Sequence, residues 1–281
     1  MIKSKTIFRC LILATFFFGS SAFAQDPLLI GGRPAKPGEF PEAVYINFGG
    51  GRCTGSIIGP RVLLSAAHCA RNGSSGTFQI GQSLYKVSEC RHHPSYPGSD
   101  VDLMLCVVNR EVDTSFASLP PEGFGLSRGD KITIVGYGCI RPGGGGGNDG
   151  VLRVGDAKVT GFSGQDIVSK GSGLCFGDSG GPAYVPMSDA FAQAHIQVSV
   201  NSKGNIRDTN YTARTYNDTA RSFIAKFAKD KGLDICGVTT DCVTPIEPNC
   251  VEEKKDHKYL LARAALAKDI VDSCLKESAE L

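Results

Sequence analysis

The sequence has no tryptophan, no excess of one charge, no glycine repeat and no hydrophobic run long enough to cross a bilayer. Its formal net charge of +2 excludes the strongly basic proteins that bind nucleic acid. The 35 glycines show no three-residue period, which excludes collagen. The run at 10–18 is about half of the roughly 20 residues that a spanning helix needs, so we predict no membrane span. With 41% apolar residues, the chain is globular.

The N-terminus has the pattern of a signal peptide. Lys3, Lys5 and Arg9 precede the apolar run, and small residues at 21–24 offer a cleavage site after Ala24. We therefore predict a signal peptide at 1–24 and a secreted protein, either extracellular or periplasmic. Its removal leaves 257 residues and ten of the eleven cysteines, an even number as disulfides require.

The residues after the signal peptide favour β-structure. Short runs of β-type residues, separated by Gly, Pro, Asn and Asp, lie at 44–48, 56–58, 61–64, 78–80, 85–89, 103–108, 131–135, 156–160 and 196–200. Strands at this spacing favour a sandwich or barrels. Residues 141–150 include five consecutive glycines and are predicted to form a mobile surface loop. Ala220, Phe223, Ile224 and Phe227 recur at helical spacing before Gly232, and 251–275 is again helical.

Three separated motifs carry the chemistry. They are Ser65-Ala66-Ala67-His68-Cys69, Asp102-Leu103-Met104-Leu105 and Gly177-Asp178-Ser179-Gly180-Gly181-Pro182. In this order they resemble the trypsin-like, chymotrypsin-fold serine proteases. The resemblance extends from residue 29 to about 227. It implies two packed six-stranded antiparallel β-barrels with a C-terminal helix, followed here by a helical, disulfide-tied extension. The expected division is a protease domain at 29–235 and the extension at 236–281.

The resemblance assigns a role to each motif. Serine is a poor nucleophile at neutral pH, so His68 is expected to take the proton of Ser179 and Asp102 to hold the resulting imidazolium. Asp100 is the competing candidate for the third position; the apolar residues after Asp102 favour Asp102. The N–H groups of Gly177 and Ser179 are expected to form the oxyanion hole.

Family members begin at a new α-amino group that pairs with the residue before the nucleophile. Here Leu29-Ile30-Gly31-Gly32 resembles that mature start, and Asp178 would be the partner of Leu29. The activation peptide would be residues 25–28. Because Leu28 precedes the cut instead of Arg or Lys, an activating protease other than trypsin is expected.

The specificity pocket is expected to accept small or medium apolar residues, as in elastases. By resemblance its floor is Gly173, which offers no carboxylate to a substrate Arg or Lys. The family's Ser-Trp-Gly wall is matched to Ser199, Val200 and Asn201, and Thr209 or a neighbour is matched to a later glycine. Side chains at these positions would shorten the pocket.

The resemblance also implies disulfides. Cys53 with Cys69 has the spacing of the family's bridge beside the histidine, Cys90 and Cys106 lie on neighbouring predicted strands, and Cys139 is the expected partner of Cys175. Cys236, Cys242, Cys250 and Cys274 can pair in three ways. The favoured arrangement joins Cys236 to Cys242 and Cys250 to Cys274.

These features predict a monomeric serine endopeptidase without a cofactor or metal. Its partners would be protein or peptide substrates, an activating protease and a protein inhibitor. The loop after His68 has no Asp or Glu between 69 and 88, so no calcium site is expected there. The competing hypothesis is an inactive or zymogen-locked homologue that acts as a binding protein, in keeping with the missing tryptophans. A second alternative treats the C-terminal extension as a surface-attachment module.

Overall fold

Short antiparallel strands dominate the chain. The computed structural model describes residues 29–98, 101–186 and 195–242. Along Ser83–His92 and Arg153–Ser163, buried and exposed residues alternate, because successive side chains of a strand point to opposite faces. These two strands therefore bury one face against a core and leave much of the other in solvent.

The first barrel is closed and has six strands. Its strands are β2 (Ala43–Asn47), β3 (Arg52–Gly59), β4 (Val62–Ser65), β5 (Gly76–Ile80), β6 (Ser83–His92) and β7 (Met104–Val108). They pair around the barrel in the order β2-β3-β4-β7-β6-β5. Ile46, Phe78, Tyr85 and Met104 lie in its interior.

The second barrel also has six strands. They are β8 (Lys131–Gly136), β9 (Arg153–Ser163), β10 (Asp166–Gly171), β11 (Pro182–Tyr184), β12 (Gln197–Gly204) and β13 (Thr209–Arg214). The order β9-β10-β13-β12-β11-β8 is closed by pairing of β8 with β9, and β1 (Arg33–Pro34) adds an edge to β9. A separate apolar cluster joins both barrels through residues such as Leu64, Val135 and Val200. The expected fold of two packed six-stranded barrels is confirmed.

Three barrel strands had no clear sequence signal, and the two-residue edge strand β1 had none either. β10 and β13 are rich in polar residues, and β11 has only three residues after a Gly-Gly pair. Strand propensity is weak at such positions, and pairing with neighbours decides the conformation.

The helix α1 (Asp218–Lys231) follows the barrels, as expected from its periodicity. Asn217 caps its first turn by accepting the N–H of Ala220 at 2.8 Å, and Gly232 ends it with φ of +62°. Ile224 and Phe227 are buried against the cluster between the barrels, so the helix anchors the C-terminal part of the described chain to both. The predicted helix at 251–275 lies outside the described residues.

Within residues 29–98, 101–186 and 195–242, four disulfides are formed. They are Cys53–Cys69, Cys90–Cys106, Cys139–Cys175 and Cys236–Cys242. These pairs coincide with the expected ones, while Cys250 and Cys274 lie outside the described residues. In the described ranges no helix has the length and apolar character needed to cross a bilayer, and no cluster of His, Cys, Asp and Glu has the geometry of a metal site.

Candidate active site

The first barrel brings His68 and Asp102 together. His68 lies in a 3₁₀ turn (Ala67–Cys69) just after β4, and Asp102 lies just before β7. β4 and β7 pair antiparallel with Ser65 opposite Met104, so the two side chains emerge at one end of the barrel. Nδ1 of His68 lies 2.6 Å from Oδ2 of Asp102, and the His68 main-chain N–H donates to Oδ1 at 2.9 Å.

Asp102 is buried but well hydrogen-bonded. Only 6% of the residue is exposed, and its Oδ2 also accepts the hydroxyl of Ser202 at 2.6 Å. Burial by itself raises the pKa of this carboxyl, but the hydrogen bonds from His68 and Ser202 together outweigh burial and hold the pKa below its usual value. Asp102 is therefore an anion at neutral pH. The alternative, Asp100, lies outside the described residues.

Main-chain contacts dock the Ser179 segment against the histidine turn. The N–H of Thr54 on β3 donates to the carbonyl of Ser179 at 2.8 Å. A Cβ on Gly180 would overlap Ser65 Oγ and would lie 3.0 Å from the nitrogen of Ala66, so only glycine allows this close approach. Ser65 and Ala66 directly precede the His68 turn. The second barrel thus presents Ser179 at the end of the first barrel where His68 and Asp102 meet.

Two main-chain N–H groups are available beside Ser179. Gly177 has φ of +103°, a conformation that favours glycine. Within the described ranges, neither the N–H of Gly177 nor that of Ser179 has a hydrogen-bond acceptor. Both can therefore donate to an oxygen placed next to the serine.

Asp178 lies under this loop. The residue is fully buried, and its carboxylate accepts the N–H of Gly138 at 2.8 Å and of Cys175 at 2.9 Å. Burial raises its pKa to about 7. A Cβ on Gly136 or Gly138 would overlap the Asp178 side chain, so two glycines make the space that it fills. In the part of the chain that the structure describes, no cation lies within ion-pair distance of Asp178.

Leu29 and the three residues after it dock on the second barrel. Leu29 is fully buried, the carbonyl of Ile30 accepts the N–H of Gly173 at 2.7 Å, and Ser172 Oγ donates to Gly31 at 3.1 Å. In the uncut chain the nitrogen of Leu29 is a peptide nitrogen, so it carries no charge for Asp178. The signal and activation peptides expected at 1–28 lie outside the described residues.

The expected wall of Ser199, Val200 and Asn201 is wrong. All three residues are fully buried in β12: Ser199 Oγ donates to Thr212 at 2.8 Å and Asn201 Nδ2 to Val135 at 3.0 Å. They therefore have no surface to offer a substrate.

The segment beside Asp102 begins three residues later, at Ser202, Lys203 and Gly204. Ser202 contacts Asp102, while Lys203 and Gly204 are exposed at the end of the strand. The sequence carried a signal for this register, because Ser202 and Gly204 keep the first and third residues of Ser-Trp-Gly. Lysine in place of tryptophan hid the match.

Main chain and buried side chains surround Gly173. A Cβ on this residue would overlap the carbonyl of Arg207, so the space beyond it is filled. Asn210 is fully buried and accepts the N–H of Leu174 at 2.7 Å while donating to the carbonyl of Ser172 at 2.8 Å. The carboxylate of Asp208 binds Asn205 and Thr209 on the exposed surface. The hydroxyl of Thr209 thus donates to the neighbouring Asp208.

Two further side chains, one directly before Gly177 and one directly after Ser202, escaped sequence reasoning. Phe176, directly before Gly177, is 64% exposed. Lys203 lies 3.5 Å from Asp166 and approaches the ring of Tyr211. Neither residue belongs to a motif, so only the fold shows that they lie next to the candidate site.

Comparisons with known proteins agree with this geometry. Residues 29–224 match the family model described as Trypsin. A trypsin-like protease of Streptomyces glaucescens is 28% identical, covering 75% of this chain and 84% of that protein. Mouse neutrophil elastase is 26% identical, covering 64% of this chain and 76% of that protein. The solved structure of human heparin binding protein has a TM-score of 0.60 at 20% identity, covering 72% of this chain and 97% of that one, and so supports the fold.

Proposed function

Because this chain belongs to the trypsin family and is a serine-type endopeptidase, we propose that it cleaves peptide bonds through Ser179, His68 and Asp102. His68 takes the proton of Ser179 as the serine oxygen attacks the substrate carbonyl. Asp102 holds the His68 ring through Nδ1, so that the other ring nitrogen faces the serine, and stabilises the imidazolium that forms. Ser202 keeps the Asp102 carboxylate in place.

The N–H groups of Gly177 and Ser179 stabilise the oxyanion of the tetrahedral intermediate. His68 then returns its proton to the leaving amine, and an acyl-enzyme on Ser179 remains. Water attacks this ester by the same route and regenerates the serine. The observation that supports this proposal most directly is the 2.6 Å contact of His68 with a buried, ionised Asp102 beside the docked Ser179 segment.

The same proposal includes cleavage after small or medium apolar residues. Gly173 offers no carboxylate to a basic side chain, and the main chain of Arg207 limits the depth of the pocket. The Asp208 carboxylate is bound to Asn205 and Thr209 and is not free to take that role. Ala- and Val-ending peptide nitroanilides should be cut at least about 100-fold faster than Arg-ending ones, and the reverse preference would contradict this specificity.

We also place cleavage before Leu29 and export of the protein in this proposal. A buried Asp178 without a cation is costly, and a new α-amino group on Leu29 would supply one. Four disulfides fit an oxidising compartment. N-terminal sequencing of active enzyme should begin at Leu29; active enzyme that begins at Gln25 would contradict the cut.

One observation favours a second candidate, a zymogen-locked homologue that acts as a binding protein. Asp178 lacks a cation in the described part of the uncut chain, and human heparin binding protein, which shares the fold, is named for binding. The free N–H groups of Gly177 and Ser179 argue for the enzyme.

Labelling with a fluorophosphonate separates the two candidates. The probe should modify Ser179 in the protein cut before Leu29, and Ser179→Ala should abolish both labelling and peptide hydrolysis. Ser199→Ala is the matched control, because it removes a buried hydroxyl from the same barrel and leaves Ser179 intact. Absence of labelling in the correctly folded, cut protein would support the binding protein and refute the enzyme.

A further inference from the structure

The glycine-rich segment 141–150 lies on the surface, as its composition predicts, and most of its residues are exposed, but one side of it packs against the protein. A Cβ on Gly147 would overlap the carbonyl of Gly138, and a Cβ on Gly144 would lie 2.8 Å from the ring of Phe176. The N–H groups of Ile140 and Arg141 both donate to the carbonyl of Gly145. The segment therefore packs directly on the loop that carries the oxyanion hole.

Asn148 makes the contact closest to the hole. A Cβ on Gly177 would overlap Asn148 Oδ1 and would lie 3.0 Å from the α-carbon of Gly138. Gly177 is thus enclosed on this side by one carboxamide and one glycine. No motif includes Asn148, and the mechanism above does not use it.

The peptide between Phe176 and Gly177 is held at both ends. Its carbonyl accepts the N–H of Cys139 at 2.9 Å. Because a trans peptide is planar, its N–H points away from Cys139. A rotation of this peptide that turned the N–H away from the hole would break that hydrogen bond, and Asn148, packed beside Gly177, restricts any accompanying shift of the Gly177 α-carbon.

Asn148 is itself fixed in place. Its φ of +51° is one that asparagine adopts more readily than most residues. Next to it, Asp149 forms a two-pronged ion pair with Arg153, with both N–O distances 2.8 Å, and Arg153 is only 3% exposed at the start of β9. The barrel thereby holds Asn148 against Gly177.

We propose that Asn148 is a positioning residue, which keeps the Phe176–Gly177 peptide in the orientation that stabilises the oxyanion. The inference rests on the proposed function, since it concerns the same reaction. Asn148 would act on the transition state and not on substrate binding, because it touches the hole and not the walls of the pocket.

The test uses Asn148→Gly in the full protein after cleavage before Leu29. Glycine tolerates the positive φ, so the variant loses only the carboxamide. We expect kcat to fall about tenfold, with KM within about twofold, because the donor is misplaced and not removed. Affinity for a peptide boronate, whose adduct on Ser179 places an oxygen in the hole, should fall by the same factor as kcat.

Two variants make the result specific. Asp149→Asn weakens the anchor to Arg153 and should lower kcat in the same pattern by about threefold. Asn109→Gly removes a carboxamide that accepts the N–H of Lys86 in the first barrel, and should leave kcat and boronate affinity unchanged. Thermal unfolding of each variant separates a loss of kcat caused by misfolding from one caused by a misplaced Gly177 N–H.

The inference is overturned if Asn148→Gly keeps the wild-type kcat and boronate affinity. It is also overturned if the variant has a higher KM and a lower kcat together with a lower thermal unfolding midpoint. A wild-type protein that hydrolyses no peptide and takes up no fluorophosphonate would overturn the proposed function and this inference with it. The two failures are therefore distinguishable.

Discussion

The proposed active site has two edges, the triad edge (His68, Asp102 and Ser202) and the specificity edge (Gly173, Arg207 and Asn210), and different kinds of groups build them. At the triad edge, side chains meet: Asp102 accepts hydrogen bonds from the His68 ring and main chain and from Ser202. At the specificity edge, main chain surrounds Gly173, with the carbonyl of Arg207 beyond it and the buried carboxamide of Asn210 beside it. A substitution at the triad edge should therefore change the reaction, and one at the specificity edge should change the fold.

Asp102→Asn should give the largest effect at the triad edge. The amide can no longer hold the imidazolium and favours the wrong His68 tautomer, so kcat should fall about 10⁴-fold, while the unfolding midpoint moves little. Kinetics and thermal unfolding on the same samples check both parts. Asp113→Asn, on an exposed residue of the first barrel, is the control. A loss of less than about tenfold would mean that Asp102 does not support His68.

Gly173→Asp tests the specificity edge. In a pocket with open space this change would create affinity for arginine. Here the new Cβ would overlap the Arg207 carbonyl and a charge would be buried, so we expect about 4 kcal/mol of lost stability and no cleavage after Arg. Gly125→Ala is the control, because nothing lies within 4 Å of its Cβ position. A stable variant that cuts after Arg would show that the space is open.

The pH dependence of stability sharpens the comparison at Asp178. In the uncut chain its pKa is raised to about 7 from 3.8, so between these values the folded state holds a proton that the unfolded state has lost. Stability should therefore fall as pH rises from about 4 to 7, by on the order of 3 kcal/mol. Denaturant unfolding at several pH values measures this fall.

Two comparisons isolate the Asp178 contribution. Asp178→Asn should flatten the dependence, since asparagine does not ionise. Cleavage before Leu29 should reverse the direction of the pH dependence, because a cation beside Asp178 lowers the pKa of its carboxyl. Equal slopes in the wild-type and Asp178→Asn proteins would exclude Asp178 as the source.

The pair Ser202→Ala and Ser199→Ala should give the smallest effects and separates the two edges most finely. Loss of the Ser202 hydroxyl removes one of the hydrogen bonds to Asp102, so kcat should fall about threefold with stability nearly unchanged. Loss of the Ser199 hydroxyl leaves Thr212 without its partner and should cost about 1 kcal/mol of stability with kcat unchanged. If Ser199→Ala instead lowered kcat and Ser202→Ala instead lowered stability, Ser199 would belong to the pocket wall, as the sequence predicted.

Features defined by residue type were predictable from the sequence. The order of the His68, Asp102 and Ser179 motifs, the family and fold that they imply, and α1 with its end at Gly232 all follow from local residues. Strands β10, β11 and β13 were not, because their residues have weak strand propensity and their neighbours in the barrel fix them. The contact of Asn148 with Gly177 was equally hidden, since glycine-rich composition says nothing about what a loop packs against.

The sequence by itself determined the family of this protein and the residues proposed to react, a serine, a histidine and an aspartate in a recognisable order, and it supplied the cysteines of the bridges. Only the tertiary structure decided which residues of β12 lie beside Asp102. A register shift between Asn201 and Lys203 brings Ser202 to Asp102 and leaves Ser199 inside the barrel. Such a bulge depends on pairing with β13, which lies beyond the reach of a local pattern, because a strand's own sequence does not fix where its partner adds or omits a residue.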